Sequence, residues 1–273
     1  MELREFKKLY AGHQDIDSDI NIIVQHIMGD VNITPFLNIS DADVKRLKKY
    51  VARHLKGEPV EKILGYSIFC DCYIQYSRHT LTPRLETEIL VEYVKDIVGD
   101  KKMSVLDMCC GGGAIGIALA KKTNCRVVCA DISSKALKMC RSNAKVNNVD
   151  IEVVKSDLFD KITERYDVII ANPPYIPYDE YITLDKMVRK YDPKLALVAD
   201  NDGLDYYQRI AGVVTQYLTD NGVLVLEIGY NQGERVKGIL SKYFHDVEVN
   251  IDYSGNDRVI IAKNIIGDKS YVR

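Results

Sequence analysis

Along the first 60 residues, hydrophobic positions recur every three or four residues, which is the period of one face of an α-helix. The helices that this pattern predicts run over Leu3–Tyr10, Ile16–Ile27 and Val44–Leu55. Ser40, followed three residues later by Asp43, is typical of a helix N-terminus. Because short loops between amphipathic helices favour a bundle, we assign residues 1–60 to a small N-terminal helical domain.

The pattern changes twice after residue 60. Residues 61–87 interleave Tyr and Ile with polar residues, which predicts a linker carrying a β-hairpin. Over residues 88–273, apolar runs of strand length alternate with amphipathic helices, one of them predicted over Tyr206–Leu218. The predicted strands are Ser104–Met108, Arg126–Ala130, Ile151–Lys155, Tyr166–Ala171, Gly222–Ile228, Val247–Tyr253 and Arg258–Lys263. This alternation indicates an α/β domain with a mostly parallel sheet covered on both faces.

The charge of the chain narrows its possible partners. The formal net charge is −2, whereas a protein that wraps duplex nucleic acid usually carries a basic excess. No apolar run approaches the ~20 residues that span a bilayer, and the N-terminus is charged from its second residue, unlike a signal peptide. We therefore expect a cytoplasmic protein that binds neither nucleic acid directly nor a membrane. We also expect it to be monomeric.

The cysteines give no sign of a metal centre. There are seven, an odd number, and they lie mostly in apolar runs, which is typical of reduced thiols. A zinc site would need paired Cys-x-x-Cys spacing with matching partners, and the sequence has none. The sequence thus predicts no metal site.

Three predicted strand ends carry residues suited to an adenosine-containing cofactor, which open α/β sheets bind at the carboxyl ends of their strands. The first strand leads into Cys109-Cys110-Gly111-Gly112-Gly113, where glycines let the backbone pass close to a ligand at a helix N-terminus. The second strand ends at Asp131, whose carboxylate can accept hydrogen bonds from both ribose hydroxyls. The third ends at Asp157-Leu158, a carboxylate beside apolar surface that suits adenine.

A dinucleotide is the alternative cofactor, because Gly111, Gly113 and Gly116 complete a Gly-x-Gly-x-x-Gly fingerprint. The fourth predicted strand decides between the two. It runs directly into Asn172-Pro173-Pro174-Tyr175, a tetrapeptide for which a hydride-transfer enzyme has no use.

The tetrapeptide suits methyl transfer to a planar, amide-type nitrogen. Consecutive prolines lack N–H donors and fix φ, so the local carbonyls point outward without internal partners. With the side-chain carbonyl of Asn172, they can accept both protons of an amino group whose lone pair is delocalised, which raises electron density on nitrogen as the methyl group arrives. Tyr175 offers a ring face to the flat acceptor. The candidate catalytic residues are Asn172, Pro173 and Tyr175, and the candidate substrate-binding residues are Asn172, Pro173, Pro174 and Tyr175.

These motifs and their neighbours resemble the release-factor glutamine N5-methyltransferases (the HemK/PrmC family) over nearly the whole chain. Thr82-Pro83-Arg84-Leu85-Glu86-Thr87-Glu88 is similar to a family signature, with Leu85 in place of its second proline. Other similar segments are Gly57-Glu58-Pro59-Val60, Ile63-Leu64-Gly65-Tyr66, Asp192-Pro193-Lys194-Leu195-Ala196-Leu197, Glu227-Ile228-Gly229 and Asp252-Tyr253-Ser254-Gly255-Asn256-Asp257-Arg258.

The resemblance implies a class I S-adenosylmethionine-dependent methyltransferase, in which a β-hairpin joins a substrate-recognising N-terminal domain to a Rossmann-like, seven-stranded catalytic domain. The implied reaction methylates the side-chain nitrogen of glutamine in the Gly-Gly-Gln motif of class 1 peptide-chain release factors, leaving S-adenosylhomocysteine. The implied cofactor-binding residues are Cys109, Cys110, Gly111, Gly112, Gly113, Asp131, Asp157, Leu158 and Asn172.

Cys109 departs from the family pattern, which usually has Gly at this position. A side chain there narrows the approach to the cofactor, and it could force a backbone shift if the residue needs a positive φ. We therefore expect weaker cofactor binding than a Gly would give, but not its loss, because Gly111 and Gly113 remain.

Three rival functions share parts of the pattern. Adenine-N6 methyltransferases also act on an amino nitrogen whose lone pair is delocalised. They need a basic groove and usually a target-recognition insertion, which the balanced charge and compact length of this chain disfavour. Ribosomal-protein glutamine methyltransferases share the fold and chemistry, and the segment Arg84-Leu85-Glu86-Thr87-Glu88 favours the release-factor branch over them. A binding protein without catalysis is favoured only by Cys109.

Overall fold

The computed structural model describes residues 1–13, 16–29 and 31–267, so residues 268–273 of the predicted catalytic domain lie outside the described residues. The chain forms two compact units, residues 1–66 and residues 67–273. Within the described residues, no helix is long and apolar enough to cross a lipid bilayer.

The helices are α1 (Leu3–Lys8), α2 (Ile16–Met28), α3 (Asp41–His54), α4 (Val60–Leu64), α5 (Glu88–Val98), α6 (Ala114–Lys122), α7 (Ser134–Val146), α8 (Tyr178–Tyr181), α9 (Lys186–Tyr191), α10 (Asp200–Gly203), α11 (Asp205–Ala211) and α12 (Gly233–Leu240). The strands are β1 (Tyr66–Phe69), β2 (Cys72–Gln75), β3 (Ser104–Met108), β4 (Arg126–Asp131), β5 (Glu152–Lys155), β6 (Tyr166–Ala171), β7 (Leu218–Glu227), β8 (Phe244–Ile251) and β9 (Asp257–Ile265).

The first unit is a helical bundle, in which α2 packs against α3 and α4. Its core buries Phe6, Ile20 and Leu47 completely, as the helical spacing of apolar residues predicts. The predicted start of α3 is confirmed, because the Ser40 hydroxyl accepts a hydrogen bond from the Asp43 amide at 3.1 Å.

The second unit is built on a seven-stranded sheet with the order β5-β4-β3-β6-β7-β9-β8. The first five strands are parallel, and β9 runs antiparallel to both β7 and β8, so the predicted mostly parallel sheet is confirmed. Successive residues of β6 enter different cores: Val168 and Ile170 pack with α5, α6 and α7, while Ile169 and Ala171 pack with α11 and α12. Helices therefore cover both faces.

The register between β3 and β6 sets the position of the site. From β3 the chain builds outward through β4 to β5, and it then returns to β6 on the other side of β3. This reversal of strand order is where open α/β sheets bind ligands. Because Met108 pairs with Ala171, the segments that start at Cys109 and Asn172 leave the sheet side by side.

Several element boundaries, among them those of β8 and β9, differ from prediction by a few residues, and two differences are larger. The helix predicted over Tyr206–Leu218 is wrong at its C-terminal end, because α11 stops at Ala211 and Leu218 begins β7 opposite Tyr166. The spacing of apolar residues continues past Ala211, yet a short 3₁₀ turn over Val214–Gln216 redirects the chain.

The hairpin predicted within residues 61–87 is formed by β1 and β2 alone, and Ile63 lies in α4 instead. Cys70 and Asp71 connect the two strands with φ values of 47° and 61°. Positive φ at both central residues is the geometry of a two-residue hairpin turn.

Gly116 permits close contact between α6 and the sheet. A Cβ there would overlap the Cys129 sulfur and lie 2.9 Å from an Asp107 carboxylate oxygen. We expect Gly116→Ala to lower the free energy of unfolding by about 1–3 kcal/mol through overpacking. Gly238→Ala is the matched control, since a Cβ at this α12 position meets nothing within 4 Å. Urea unfolding followed by circular dichroism tests the pair, and equal effects would contradict this account.

Candidate active site

A cavity lies at the carboxyl ends of β3, β4 and β6. Predicted cofactor and substrate residues line it together: Cys109, Cys110, Gly111, Gly112, Asp131, Asp157, Leu158, Asn172 and Pro174. Three predicted residues are not among its lining residues, namely Gly113, Pro173 and Tyr175. The described structure thus places the strand-end motifs around one space.

The loop after β3 has the conformation for which glycine is suited. Gly111 and Gly113 have φ values of 53° and 83°, and Cys109 adopts 59°. A Cβ at Gly113 would lie only 2.5 Å from the sulfur of Cys140, so this glycine serves close packing. Cys109 carries its side chain in a left-handed conformation that costs an L-residue about 1–2 kcal/mol.

Asp131 is fixed in place by backbone amides. One carboxylate oxygen accepts from the Gly111 N–H at 2.8 Å, and the other accepts from the Ser133 N–H at 2.7 Å. Burial raises the pKa of Asp131, and the two hydrogen bonds oppose that rise. Each oxygen retains capacity for a second hydrogen bond, as a ribose diol requires.

Asp157, which follows β5, lines the cavity and pairs with Arg209 of α11 at 2.7 Å. No motif indicates this partner, which orients the carboxylate at the cavity. Both side chains are partly exposed, so the pair adds little stability. Next to it, Leu158 is buried with a φ of 44°, and it provides apolar surface beside the carboxylate.

Asn172 is oriented by a chain of hydrogen bonds. Its side-chain N–H₂ donates to the Thr87 hydroxyl oxygen at 3.3 Å. The Thr87 hydroxyl in turn donates to a carboxylate oxygen of Glu227 at 2.7 Å. Because the amide nitrogen is engaged, the Asn172 side-chain oxygen is left as the acceptor at the cavity.

Glu227 is the buried end of this chain, which we call the Glu227 relay: Glu227, Thr87 and Asn172. Burial raises the pKa of Glu227 to about 7, against the lowering effects of the Thr87 hydroxyl and the Arg258 charge. The Tyr175 hydroxyl is 3.5 Å from the second carboxylate oxygen of Glu227. One buried group therefore supports two residues of the tetrapeptide.

Gln232 and Gly203 also fix the backbone of the tetrapeptide at the Tyr175 carbonyl. The side-chain N–H₂ of Gln232 donates to the Tyr175 carbonyl oxygen at 3.0 Å. Gly203 approaches the same carbonyl so closely that a Cβ there would overlap it, and its φ of 80° also favours glycine. The tetrapeptide is consequently a rigid segment.

Asn143 on α7 connects the loop after β3 with the hairpin. Its side-chain N–H₂ donates to the Gly112 carbonyl at 2.9 Å and to the Gln75 carbonyl at 2.8 Å, while its oxygen accepts from the Gln75 amide. Asn143 is fully buried. A polar residue on the apolar face of a predicted helix was the signal that could have revealed it.

Comparison with known proteins shows the family to which this chain belongs. The family model described as methyltransferase small domain matches residues 83–196. A release factor glutamine methyltransferase of Lactococcus lactis subsp. lactis is 41% identical over 82% of this chain and 84% of its own length. One from Streptococcus pneumoniae is 39% identical over 80% of this chain and 78% of its own length. The chain belongs to the release factor glutamine methyltransferase family.

A solved structure supports the fold of this family member. A methyltransferase from Pyrococcus furiosus aligns with a TM-score of 0.55 and 18% identity, over 79% of this chain and 98% of that one. The predicted class I methyltransferase fold is thus confirmed.

Sequence reasoning missed two members of the Glu227 relay as functional residues. Thr87 and Glu227 stand in segments that resemble the family, yet their spacing in the chain gives no hint that they meet. A signal was present at Glu227, since a carboxylate that ends the apolar run Val223–Leu226 must be buried with the strand.

Replacement of Cys109 by Gly tests the strained position. We expect Cys109→Gly to tighten S-adenosylmethionine binding or to leave it unchanged, because the loop keeps its conformation without the side chain. The substitution relieves about 1–2 kcal/mol of backbone strain, but glycine loses about 0.5–1 kcal/mol more in conformational entropy on folding. The free energy of unfolding should therefore change by roughly 1 kcal/mol or less. Calorimetric titration measures the affinity, and a tenfold weakening would refute this role for Cys109.

Proposed function

We propose that this chain transfers a methyl group from S-adenosylmethionine to the glutamine side-chain nitrogen in the Gly-Gly-Gln motif of class 1 peptide-chain release factors. Family membership supports the substrate, and S-adenosylmethionine is the methyl donor. The observation that carries the proposal is the position of Asn172: its oriented amide oxygen lies at the end of β6, next to the loop after β3.

The donor side is formed by the loop after β3 and the ends of β4 and β5. Asp131 would hold the ribose hydroxyls, since both of its oxygens are fixed by backbone amides. Asp157 and Leu158 would receive the adenine, and the segment from Cys109 to Gly113 the methionine part. The cofactor supplies an electrophilic methyl group on a sulfonium ion.

The acceptor side is formed by the tetrapeptide. The Asn172 side-chain oxygen and the carbonyl of Pro173 accept the two N–H protons of the substrate glutamine, which raises electron density on its nitrogen. The glutamine nitrogen would take the methyl group that the cofactor supplies, and the methylated amide would then lose one proton to solvent, leaving S-adenosylhomocysteine as the other product. Pre-aligned acceptors of this kind speed the reaction because they stabilise the positive charge that develops on the amide group in the transition state.

The helical unit completes the proposed assignment. Residues 1–60 would recognise the release factor, and residues 61–87 would link them to the catalytic domain of residues 88–273. We propose that the protein acts as a monomer without direct contact to nucleic acid, consistent with its net charge of −2.

Transfer of labelled methyl groups tests the function. The purified chain and labelled S-adenosylmethionine are incubated separately with a class 1 release factor, its Gly-Gly-Gln glutamine-to-alanine variant, and adenine-containing DNA. We expect label only on the unaltered release factor. Label on DNA, or undiminished label on the alanine variant, would contradict the proposal.

Asn172→Ala tests the acceptor site itself. We expect kcat to fall by about 10²–10³, because one pre-aligned acceptor is lost, while the Kd for the release factor changes little. Unchanged kcat would exclude Asn172 from the chemistry.

The Glu227 relay predicts a pH dependence. Thr87 donates to Glu227, and protonation of that carboxylate below its pKa of about 7 weakens the charge-assisted hydrogen bond that orients Asn172 through Thr87. We expect kcat to fall as pH decreases through about 7. Glu227→Gln should lower kcat and remove this inflection, with KM for the release factor unchanged.

Glu86→Gln is the matched control for that pH profile. The nearby Glu86 charge raises the pKa of Glu227, so its removal should shift the inflection to lower pH without abolishing it. An inflection that persists in Glu227→Gln would assign the titration to another group.

A further inference from the structure

Three thiols that are distant in the sequence meet beneath the loop after β3. Cys110 follows β3, Cys129 lies in β4 and Cys140 lies in α7. Their sulfur atoms all lie within 4.8 Å of one another. We propose that this group, the thiol cluster, binds one thiophilic divalent cation of the Zn²⁺ type.

The spacing of the sulfurs fits such an ion. Zinc–thiolate bonds are about 2.3 Å long, so three sulfurs around one zinc ion lie about 4 Å apart. The observed limit of 4.8 Å requires only small side-chain adjustments. Soft thiolate ligands also select zinc-like ions over magnesium or calcium.

The surroundings hold the three sulfurs in place. Cys129 and Cys140 are fully buried, and Cys110 is 9% exposed. Glycines pass directly beside two of the thiols: a Cβ at Gly113 would crowd Cys140, and one at Gly116 would crowd Cys129. The cluster is therefore preorganised by β4, α6 and α7.

Asp107 provides an independent indication of a cation. It is fully buried, and within the described structure its Oδ1 atom has no hydrogen-bond partner. Its Oδ2 atom accepts from the Gly116 amide at 2.8 Å and lies 3.9 Å from the Cys129 sulfur. A charged carboxylate buried beside a thiol of the cluster is costly, and a cation held by the thiols would offset that cost by its charge.

The position of the cluster gives the ion a route and a role. Cys110 lines the cavity, so the ion can enter from the cofactor side. Bound there, it would tie the loop after β3 to both β4 and α7, and each thiol that binds as a thiolate would release its proton to solvent. The sequence predicted no metal site because these cysteines lack paired spacing, whereas the fold supplies the proximity.

Metal binding is tested on the full chain, reduced with a phosphine and stripped of metal by a chelator. Titration with Zn²⁺ alone should give one ion per chain and a rise in the melting temperature, because the ion binds the folded state. Zinc-edge X-ray absorption should show three sulfur ligands at about 2.3 Å. A shell of only oxygen and nitrogen, or no retained zinc, would overturn the proposal.

Variants assign the ligands. Cys129→Ser and Cys140→Ser should each weaken zinc binding at least 100-fold, whereas Cys72→Ser, which alters a buried thiol outside the cluster, should leave it unchanged. Equal weakening by Cys72→Ser, or none by the cluster variants, would overturn the assignment. These readouts are independent of methyl transfer, so their failure leaves the proposed function intact.

Discussion

The pairing of β3 with β6 is the constraint on which the site depends. Neighbouring strands lie about 4.8 Å apart, and the register sets Met108 opposite Ala171. The loop of the proposed donor site and the tetrapeptide of the proposed acceptor site therefore begin side by side. A slip of one residue would turn every side chain of β6 to the other face and exchange its two cores. Because β6 is apolar on both faces, its register is specified by how the size and shape of each side chain fit the two cores.

Buried carboxylates stabilise both segments that leave these strands. Asp107 near the end of β3 accepts a hydrogen bond from the amide of Gly116, which lies in the first turn of α6. Glu227 at the end of β7 accepts a hydrogen bond from the Thr87 hydroxyl. Both lie away from solvent, which disfavours their charged forms. Asp107 orients the loop after β3 as a strong hydrogen-bond acceptor, and Glu227 orients Asn172 through Thr87. The free-energy cost of burying these two carboxylates is thus accompanied by a defined geometry at the site.

Much of the fold and of the candidate site can be predicted from short segments of the sequence. Strands β3 and β6 are predicted to the residue, because each is a short apolar run between clear helix or turn signals. Asp131, Asp157 and Asn172 are recognisable because each lies at the end of such a strand or within two residues after it. Their convergence on one cavity is a general consequence of parallel topology.

The remainder depends on contacts between distant segments. The Glu227 relay joins residues 140 positions apart, and Asn143 contacts the hairpin 68 positions away. The thiol cluster likewise combines three elements, so paired cysteine spacing could not reveal it. The spacing of apolar residues also predicted a helix that continues too far beyond Tyr206, because such spacing does not reveal the 3₁₀ turn that precedes β7. Such features require the folded chain.

A crystal structure of the chain with S-adenosylhomocysteine and a Gly-Gly-Gln peptide tests the central claim most directly. The account predicts ribose hydroxyls on Asp131 and a glutamine side-chain nitrogen within hydrogen-bond distance of the Asn172 side-chain oxygen and the Pro173 carbonyl. That nitrogen should face the thioether sulfur across the gap between the ends of β3 and β6. A glutamine bound at another strand end, or a cofactor away from Asp131, would contradict it.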